Sequence, residues 1–422
     1  MKYKIINLGC KVNSYESAMM EDLLKASGYT YGDNSDVVII NTCTVTNTAN
    51  NKSLKMIRQA VRNNPNSIIL VCGCASQIYK ENILKIDGVS IVIGNYGKSK
   101  IIDYINKYKQ EQKQIVDVRD ISNISFETMK LINFDKTRAF VKIQDGCNNY
   151  CSYCIIPYTR GNVRSRNKED IIAEVKDLIS KGHKEIVLTG IHTGHYGFEF
   201  DNYDLSDLIK ELTLIKGLER LRISSIEITE LNDKFLKVLE ETPTLVSHLH
   251  IPLQSGTDSI LASMNRKYDT KYFKDKIDKI RKIRPEISIT TDVITGFPGE
   301  TIDDFNKTID FIKTIGFAKI HVFPYSRRSG TKADLFSNQI SEEEKKKRTH
   351  ILLKLSRMLE EKYMEKFIGK KVTMLPEVYD NGYIIGHTDN YLLIKTKGSP
   401  NDINKFKTCI VQSIEYPYCS CN

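Results

Sequence analysis

The segment Ala139-Phe140-Val141-Lys142-Ile143, followed by Cys147-Asn148-Asn149-Tyr150-Cys151-Ser152-Tyr153-Cys154, decides how this chain is read. The first part alternates apolar side chains and predicts a strand. The second holds three cysteines at C-x3-C-x2-C spacing. Thiolates are soft ligands suited to iron–sulfur clusters or zinc. Three of them so close in sequence can wrap one metal centre. A four-iron cluster held by three cysteines leaves one iron for a small molecule, as a catalytic metal site keeps an open position. The other reading is half a zinc site completed by a distant Cys or His. Zinc sites usually build on C-x2-C pairs, which this spacing matches poorly.

Working outward, six apolar runs recur at 139–144, 185–189, 221–225, 247–253, 287–295 and 318–325, with helical periodicity between them. Six βα units predict an open (β/α)6 barrel whose site lies at the carboxyl ends of its strands. Polar and glycine-rich residues gather there: Thr189-Gly190-Ile191-His192, Ser224-Ser225-Ile226-Glu227, Pro252-Leu253-Gln254-Ser255-Gly256, Thr295-Gly296-Phe297-Pro298-Gly299-Glu300 and Phe323-Pro324-Tyr325-Ser326-Arg327-Arg328. The cysteine triplet opens at the same mouth. Taken singly these elements are ordinary. His192 and His195 read as polar loop residues, and His248 and His250 as structural. Arg164 and Arg166 lie just past the cysteine loop, before a helix capped by Asn167. They read as anion contacts or as solvated surface. The run Glu342-Glu343-Glu344-Lys345-Lys346-Lys347-Arg348 reads as the charged face of a long amphipathic helix.

Upstream, three apolar runs end in cysteine, at Cys10, Cys43 and Cys74. Alternation with helical patterns predicts a doubly wound α/β layer, whose ligands sit at the carboxyl ends of the strands. All three cysteines fall at those ends, so they would converge as a second three-ligand site. The alternative is three buried apolar cysteines. Cys72 lies within its strand and reads as packing. Residues 106–137 show no sustained period and read as a linker. Beyond 366 the pattern turns to short alternating strands, which predict a small β-barrel that serves either RNA binding or another interaction. Cys419 and Cys421 fall at a terminus expected to fray. The expected domains are 1–105, 138–365 and 366–422, joined through the linker at 106–137.

The chain carries 62 Lys and Arg against 52 Asp and Glu, a formal charge of +10. This balance suits a polyanion such as nucleic acid. A general Lys, Asn and Ile bias explains it equally well. No run of 18 apolar residues predicts a membrane span. The start runs straight into a strand without a signal-peptide pattern, so a cytoplasmic location is expected. In a reducing compartment ten cysteines read as metal-binding or catalytic.

These residues resemble the radical S-adenosylmethionine (SAM) methylthiotransferase family across almost the whole chain. The Cys147/Cys151/Cys154 loop matches the radical SAM signature. The preceding Cys10, Cys43 and Cys74 and the terminal TRAM-like barrel match the methylthiotransferase subfamily. Finer matches are Leu8-Gly9-Cys10-Lys11-Val12-Asn13-Ser14-Tyr15-Glu16-Ser17, Asn41-Thr42-Cys43-Thr44-Val45-Thr46, Gly73-Cys74 with Gln77, and Ile155-Ile156-Pro157-Tyr158-Thr159-Arg160-Gly161. They most resemble the MtaB-type branch, which acts on N6-threonylcarbamoyladenosine beside the tRNA anticodon. Related enzymes for isopentenyladenosine or a ribosomal protein usually read differently after the first cysteine.

The resemblance implies two [4Fe-4S] clusters. One, on Cys147, Cys151 and Cys154, cleaves SAM to a radical that takes hydrogen from carbon 2 of adenine. The other, on Cys10, Cys43 and Cys74, carries the sulfur that a second SAM methylates. It also implies SAM contacts from Tyr153, Gly190, Glu227, Gln254, Gly296 and Phe323, and tRNA contacts from Arg164, Arg166 and the terminal barrel. Thr189-Gly190-Ile191 keeps one glycine where such enzymes often show Gly-Gly-Glu. Expected partners are tRNA, an electron donor such as flavodoxin or ferredoxin, and a sulfur donor; the chain is expected to be a monomer. The rivals are a non-catalytic zinc-containing RNA-binding protein and an electron-transfer iron–sulfur protein, neither of which needs six βα units with a polar mouth.

Overall fold

The computed structural model describes residues 1–44, 46–132, 134 and 136–421. Val45 of the Asn41–Thr46 motif therefore lies outside the described residues, as do residues 133 and 135 of the expected linker and residue 422 of the expected terminal barrel.

The chain opens with β1 (Lys2–Asn7), α1 (Lys11–Ala26), β2 (Thr30–Tyr31), β3 (Val37–Thr42), α2 (Asn47–Asn63) and β4 (Ile68–Gly73). Then come α3 (Cys74–Ile78), α4 (Lys80–Leu84), β5 (Ile91–Ile93), α5 (Ile101–Glu111) and β6 (Ile115–Asp117). The strands form one parallel sheet in the order β2-β1-β3-β4-β5-β6. Val37-Val38-Ile39-Ile40 is fully buried, as a β-branched central strand covered on both faces must be. The stretch expected as a linker, 106–137, begins inside α5 and contains β6, which pairs with β5 at the sheet edge. Three residues carry too little periodicity to show a strand, and the pairing itself supplies the order.

The second unit runs through β7 (Arg138–Lys142), β8 (Gln144–Asp145), α6 (Ile156–Arg160), β9 (Arg164–Ser165), α7 (Lys168–Ser180) and β10 (Glu185–Thr189). It continues with α8 (Leu205–Thr213), β11 (Arg220–Ile223), α9 (Asp233–Glu241), β12 (His248–His250), α10 (Asp258–Ser263) and α11 (Thr270–Ile283). Last come β13 (Ser288–Thr295), α12 (Ile302–Ile315), β14 (Lys319–Pro324) and α13 (Glu342–Glu365). Parallel sheets β7-β10-β11 and β12-β13-β14 meet where Leu221 bridges Leu245 and the Ile226 N–H reaches the His250 carbonyl at 3.1 Å. The result is the expected open six-strand barrel, with free edges at β7 and β14. Helix α1 packs on β7, and the loop after β14 grips the loop after β3, so the first domain holds both edges. Asn167 caps α7 through Oδ1, as read from the sequence.

The chain ends in a closed barrel of β15 (Lys371–Asp380), β16 (Tyr383–Thr388), β17 (Leu393–Lys397), β18 (Lys407–Glu415) and β19 (Tyr418–Cys421), ordered β15-β16-β17-β19-β18. Fraying of the last residues was the wrong expectation. β19 pairs with β17 and β18, and Cys419 and Cys421 are buried on its inner face. The alternation Tyr-Cys-Ser-Cys is the period-two signal of that strand. Arg220 and Arg222 of β11 donate to the carbonyls of Thr373, His387, Thr388 and Asp389, which pins the small barrel to the large one. Among the described residues no helix is long and apolar enough to cross a membrane.

Candidate two-centre active site

The Cys147–Cys154 loop is fastened from two sides. The Cys147 N–H donates to the Gly161 carbonyl at 3.0 Å, and the Ser152 N–H to the Met264 carbonyl at 3.0 Å. Asn265 Nδ2 donates to the carbonyls of Asn149 and Tyr150 at 3.2 and 3.0 Å. Gly146 precedes the loop at φ +75°, and a Cβ there would meet the Asn162 carbonyl oxygen at 1.8 Å, so only glycine fits. Burial raises the Cys151 and Cys154 thiols, and the neighbouring thiols raise them further. Two cationic donors face this triplet. Arg266 Nη1 lies 3.4 Å from the Cys151 sulfur, and His192 Nδ1 lies 3.6 Å from the Cys147 sulfur. Burial lowers the His192 imidazole, but Cys147 and Glu230 outweigh it and raise it to about 10. Its Nε2 holds Glu230 at 2.7 Å, and its ring stacks on His195.

The second set stands where strands give way to helices. Cys10 is the N-cap of α1, Cys74 opens α3, and Cys43 follows β3 just before the Thr46 cap of α2. Helix starts favour thiolates. Ser53 Oγ ties the Cys43 turn by accepting its N–H at 3.2 Å and donating to its carbonyl at 2.9 Å. Burial raises Cys10, and Arg160 opposes the rise. Arg160 also faces Cys74. Helix α6 links the centres: it packs against α3 and ends at Gly161, which holds the Cys147 loop. Cys72 lies within β4, wholly buried, and its thiol is pushed up to about 12 by burial. It is a packing residue.

Beneath the second set lies a buried charge network that sequence reading missed. Glu16 binds Lys98, Lys142 at 2.8 Å and Arg160 at 2.6 Å. Asp145 binds Lys142 at 2.6 Å, Arg160 at 3.3 Å and Arg164 at 3.3 Å. Burial alone would raise the Glu16 carboxyl, but Arg160, Lys142 and Lys98 reverse this and hold it well below the ordinary range. The network carries two more cations than anions, and Arg160 Nε lacks a partner. An anionic thiolate-held centre fits that surplus. The sequence signal was Glu16 itself, an acid on the apolar stripe formed by Val12, Tyr15, Met19 and Met20.

Among the described residues only His192, His195 and Glu230 place three ligand atoms within 4.8 Å of one another.

The remaining expected residues divide. Tyr153 and Glu227 join the triplet through Arg266, whose Nη2 pairs with Glu227 and whose Nη1 lies 3.5 Å from the Tyr153 hydroxyl. Burial raises the Glu227 carboxyl, opposed by Arg266. Gln254 sits at φ +67°, its backbone bonded to Asp292 and Ile294 of β13. Gly190 lines a cavity of about 560 Å³ inside the barrel, and Phe323 stands 44% exposed on β14. Gly296 also has a structural task. Its N–H donates to Glu300 at 2.8 Å, and a Cβ there would meet Lys345 Cγ at 2.4 Å. Glu300 in turn binds Arg348 at 2.6 Å, so the Gly-Phe-Pro-Gly-Glu turn docks α13. Arg164 and Arg166 must be corrected. Both are buried: Arg164 faces Asp145, and Arg166 bonds Glu174 at 2.8 Å and the Tyr15 hydroxyl at 3.2 Å. Both guanidiniums turn inward to buried carboxylates and are not presented to RNA, which their place just past the loop concealed.

Arg328, placed at the barrel mouth by the sequence but given no role there, clips the barrel to the Cys43 turn. It donates to the Thr44 carbonyl and hydroxyl and to Asn47 Oδ1, while the Asn47 amide donates to the Arg327 carbonyl at 2.6 Å. Replacing Arg328 by Ala frees the Cys43 turn. The chain should then lose iron toward half of its full content while keeping SAM cleavage, and unchanged iron would discount the clip.

The barrel and cysteine loop define a radical SAM protein. A family model described as the radical SAM superfamily matches residues 141–312, and one described as uncharacterized protein family UPF0004 matches residues 2–94. A solved radical SAM methyltransferase, TsrM from Kitasatospora setae, shares the fold at 13% identity and a TM-score of 0.57, over 76% of this chain and 72% of its own. A threonylcarbamoyladenosine tRNA methylthiotransferase MtaB from Bacillus subtilis is 42% identical over 97% of this chain and 94% of its own length. A protein of the same name from Aquifex aeolicus is 37% identical over 94% of this chain and 97% of its own length. A tRNA-2-methylthio-N(6)-dimethylallyladenosine synthase from Clostridium perfringens is 35% identical over 93% and 91%. The chain belongs to the radical SAM methylthiotransferase family.

Proposed function

We propose that this chain places a methylthio group on carbon 2 of N6-threonylcarbamoyladenosine beside the anticodon of tRNA. The observation that carries the reading is the pair of three-cysteine sets on neighbouring domains, joined through α6, in a chain 42% identical to a methylthiotransferase of that name. We assign Cys147, Cys151 and Cys154 to one [4Fe-4S] cluster and Cys10, Cys43 and Cys74 to a second. When bound, the clusters and SAM supply one-electron cleavage, hydrogen abstraction from carbon 2 and sulfur transfer, chemistry that no side chain supplies.

The chain's own residues hold, orient and shield. His192 and Arg266 donate to two of the three thiolates, which fixes the loop and balances its charge. Tyr153, Glu227, Gln254, Gly190 and Phe323 are assigned to the SAM region. The aromatic packing of Tyr153, Phe297 and Tyr325 keeps water from one wall of it. The terminal barrel, rather than Arg164 and Arg166, is assigned to tRNA. An electron donor of the flavodoxin or ferredoxin class and a sulfur donor complete the reaction, which a monomer in the cytoplasm carries out.

A second reading, dimethylallyladenosine as the substrate, is favoured by the 35% identity to the synthase of that name. Nucleoside mass spectrometry of tRNA from a deletion strain decides between them. Loss of the methylthio group from threonylcarbamoyladenosine alone is the expected result. Loss from dimethylallyladenosine alone overturns the assignment.

A further inference from the structure

The cavity in the barrel reaches from strand ends at Gly190 and Ser224 to Tyr391 of the terminal barrel, and Cys10 and Lys11 form part of its wall. Its charges are almost all spoken for. Asp292 lies 3.3 Å from His250 Nε2, and Glu360 binds Lys319 at 2.8 Å. Arg222 binds Glu185 at 2.7 Å and two carbonyls of the terminal barrel. Lys11 differs. It is the first residue of α1, its side chain lines the cavity near Tyr391, Arg138 and Arg222, and among the described residues its ammonium makes no side-chain hydrogen bond and no ion pair. No carboxylate of the cavity is free to meet it. Beside the thiolate at Cys10, an ammonium left without a carboxylate in such a wall can take a second anion brought by the substrate.

The substrate of the function proposed above, on which this inference rests, carries one. A threonylcarbamoyl group ends in the α-carboxylate of threonine, whereas a dimethylallyl group is wholly apolar. In adenine, carbon 2 and the carbon bearing N6 both flank N1. A base presenting carbon 2 to the centre beside Cys10, with its N6 substituent on the N1 side, brings that substituent toward the residues next to Cys10. We propose that Lys11 is a specificity-determining residue that pairs with the threonyl carboxylate of the N6-threonylcarbamoyl group. The same ammonium disfavours a dimethylallyl group, which would cover it without compensation.

The test uses the full chain with its clusters reconstituted. Its probes are anticodon stem–loops that differ only at the target nucleoside: threonylcarbamoyladenosine, its methyl ester, dimethylallyladenosine and unmodified adenosine. A charged hydrogen bond contributes about 1.5–3 kcal/mol, which converts to a loss of roughly tenfold to a hundredfold in affinity. The wild-type chain should bind the acid that much more tightly than the ester. Lys11→Gln should bind acid and ester alike, keep its iron and bind the unmodified loop as the wild type does. Lys11→Arg should restore part of the preference. Equal binding of acid and ester by the wild-type chain overturns the proposal without any variant, as does an undiminished preference in Lys11→Gln. Tighter binding of the dimethylallyl loop than of the acid by the wild type would instead overturn the parent reading of the substrate.

Discussion

Replacing Cys147, Cys151 and Cys154 together by alanine should leave about half of the roughly eight irons on the anaerobically purified chain and abolish SAM cleavage. The half that stays follows from the fold. Cys10, Cys43 and Cys74 stand on a separate sheet, each at its own strand end. The half that goes follows from the loop's dependence on thiolates. His192 and Arg266 point at two of its sulfurs, and with alanines in place they face no anion. The complementary variant, with Cys10, Cys43 and Cys74 changed to alanine, should keep the other half of the iron. It should still cleave SAM, but transfer no methylthio group. Iron and sulfide analysis with detection of 5′-deoxyadenosine reads both. Cleavage that persists in the first variant would show that the clusters are assigned to the wrong cysteines. Stoichiometric zinc in place of iron would remove the catalytic reading altogether.

Both cysteine sets were legible in the sequence because each has a local sign. The triplet lies within eight residues, and the other three each end an apolar run whose strand identity needs no tertiary information. What was illegible depends on partners distant in sequence. Arg164 and Glu16 look like solvated charges until α1 and β9 are brought together, and then both are buried in one network. Arg266, 115 residues beyond Cys151, has no sequence mark that separates it from the chain's other basic residues. β6 and β19 are short strands whose order comes from pairing, so composition alone read one as linker and the other as a frayed end. Strand ends are thus read from local pattern, whereas buried charges are read only once their counter-ions are placed.

Glu16 shows how much such a charge weighs. Glu16→Gln keeps the shape of the side chain and removes the anion that Lys98, Lys142 and Arg160 share. All three cations are buried, so they cannot recover hydration, and breaking one side of a buried pair costs about 3–5 kcal/mol. For a cooperative unit of about 150–250 residues, at about 2–4 °C per kcal/mol, this lowers its Tm by roughly 6–20 °C. Because Lys98 comes from the first domain and Lys142 and Arg160 from the second, the loss should appear as separation of the domains, with faster proteolysis between them. The pH dependence has a definite sign. The folded carboxyl lies below its ordinary value near 4.5, so its contribution is complete above that pH and is lost as pH falls through the folded value. The wild-type chain should therefore lose stability on acidification where Glu16→Gln, already lacking the anion, loses less, and the two melting curves should approach each other. Adding Lys98→Met to Glu16→Gln removes one stranded cation and should restore part of the lost Tm. A Glu16→Gln chain that melts with the wild type at neutral pH, or a double variant less stable than Glu16→Gln alone, would show that the network does not join the two domains in this way.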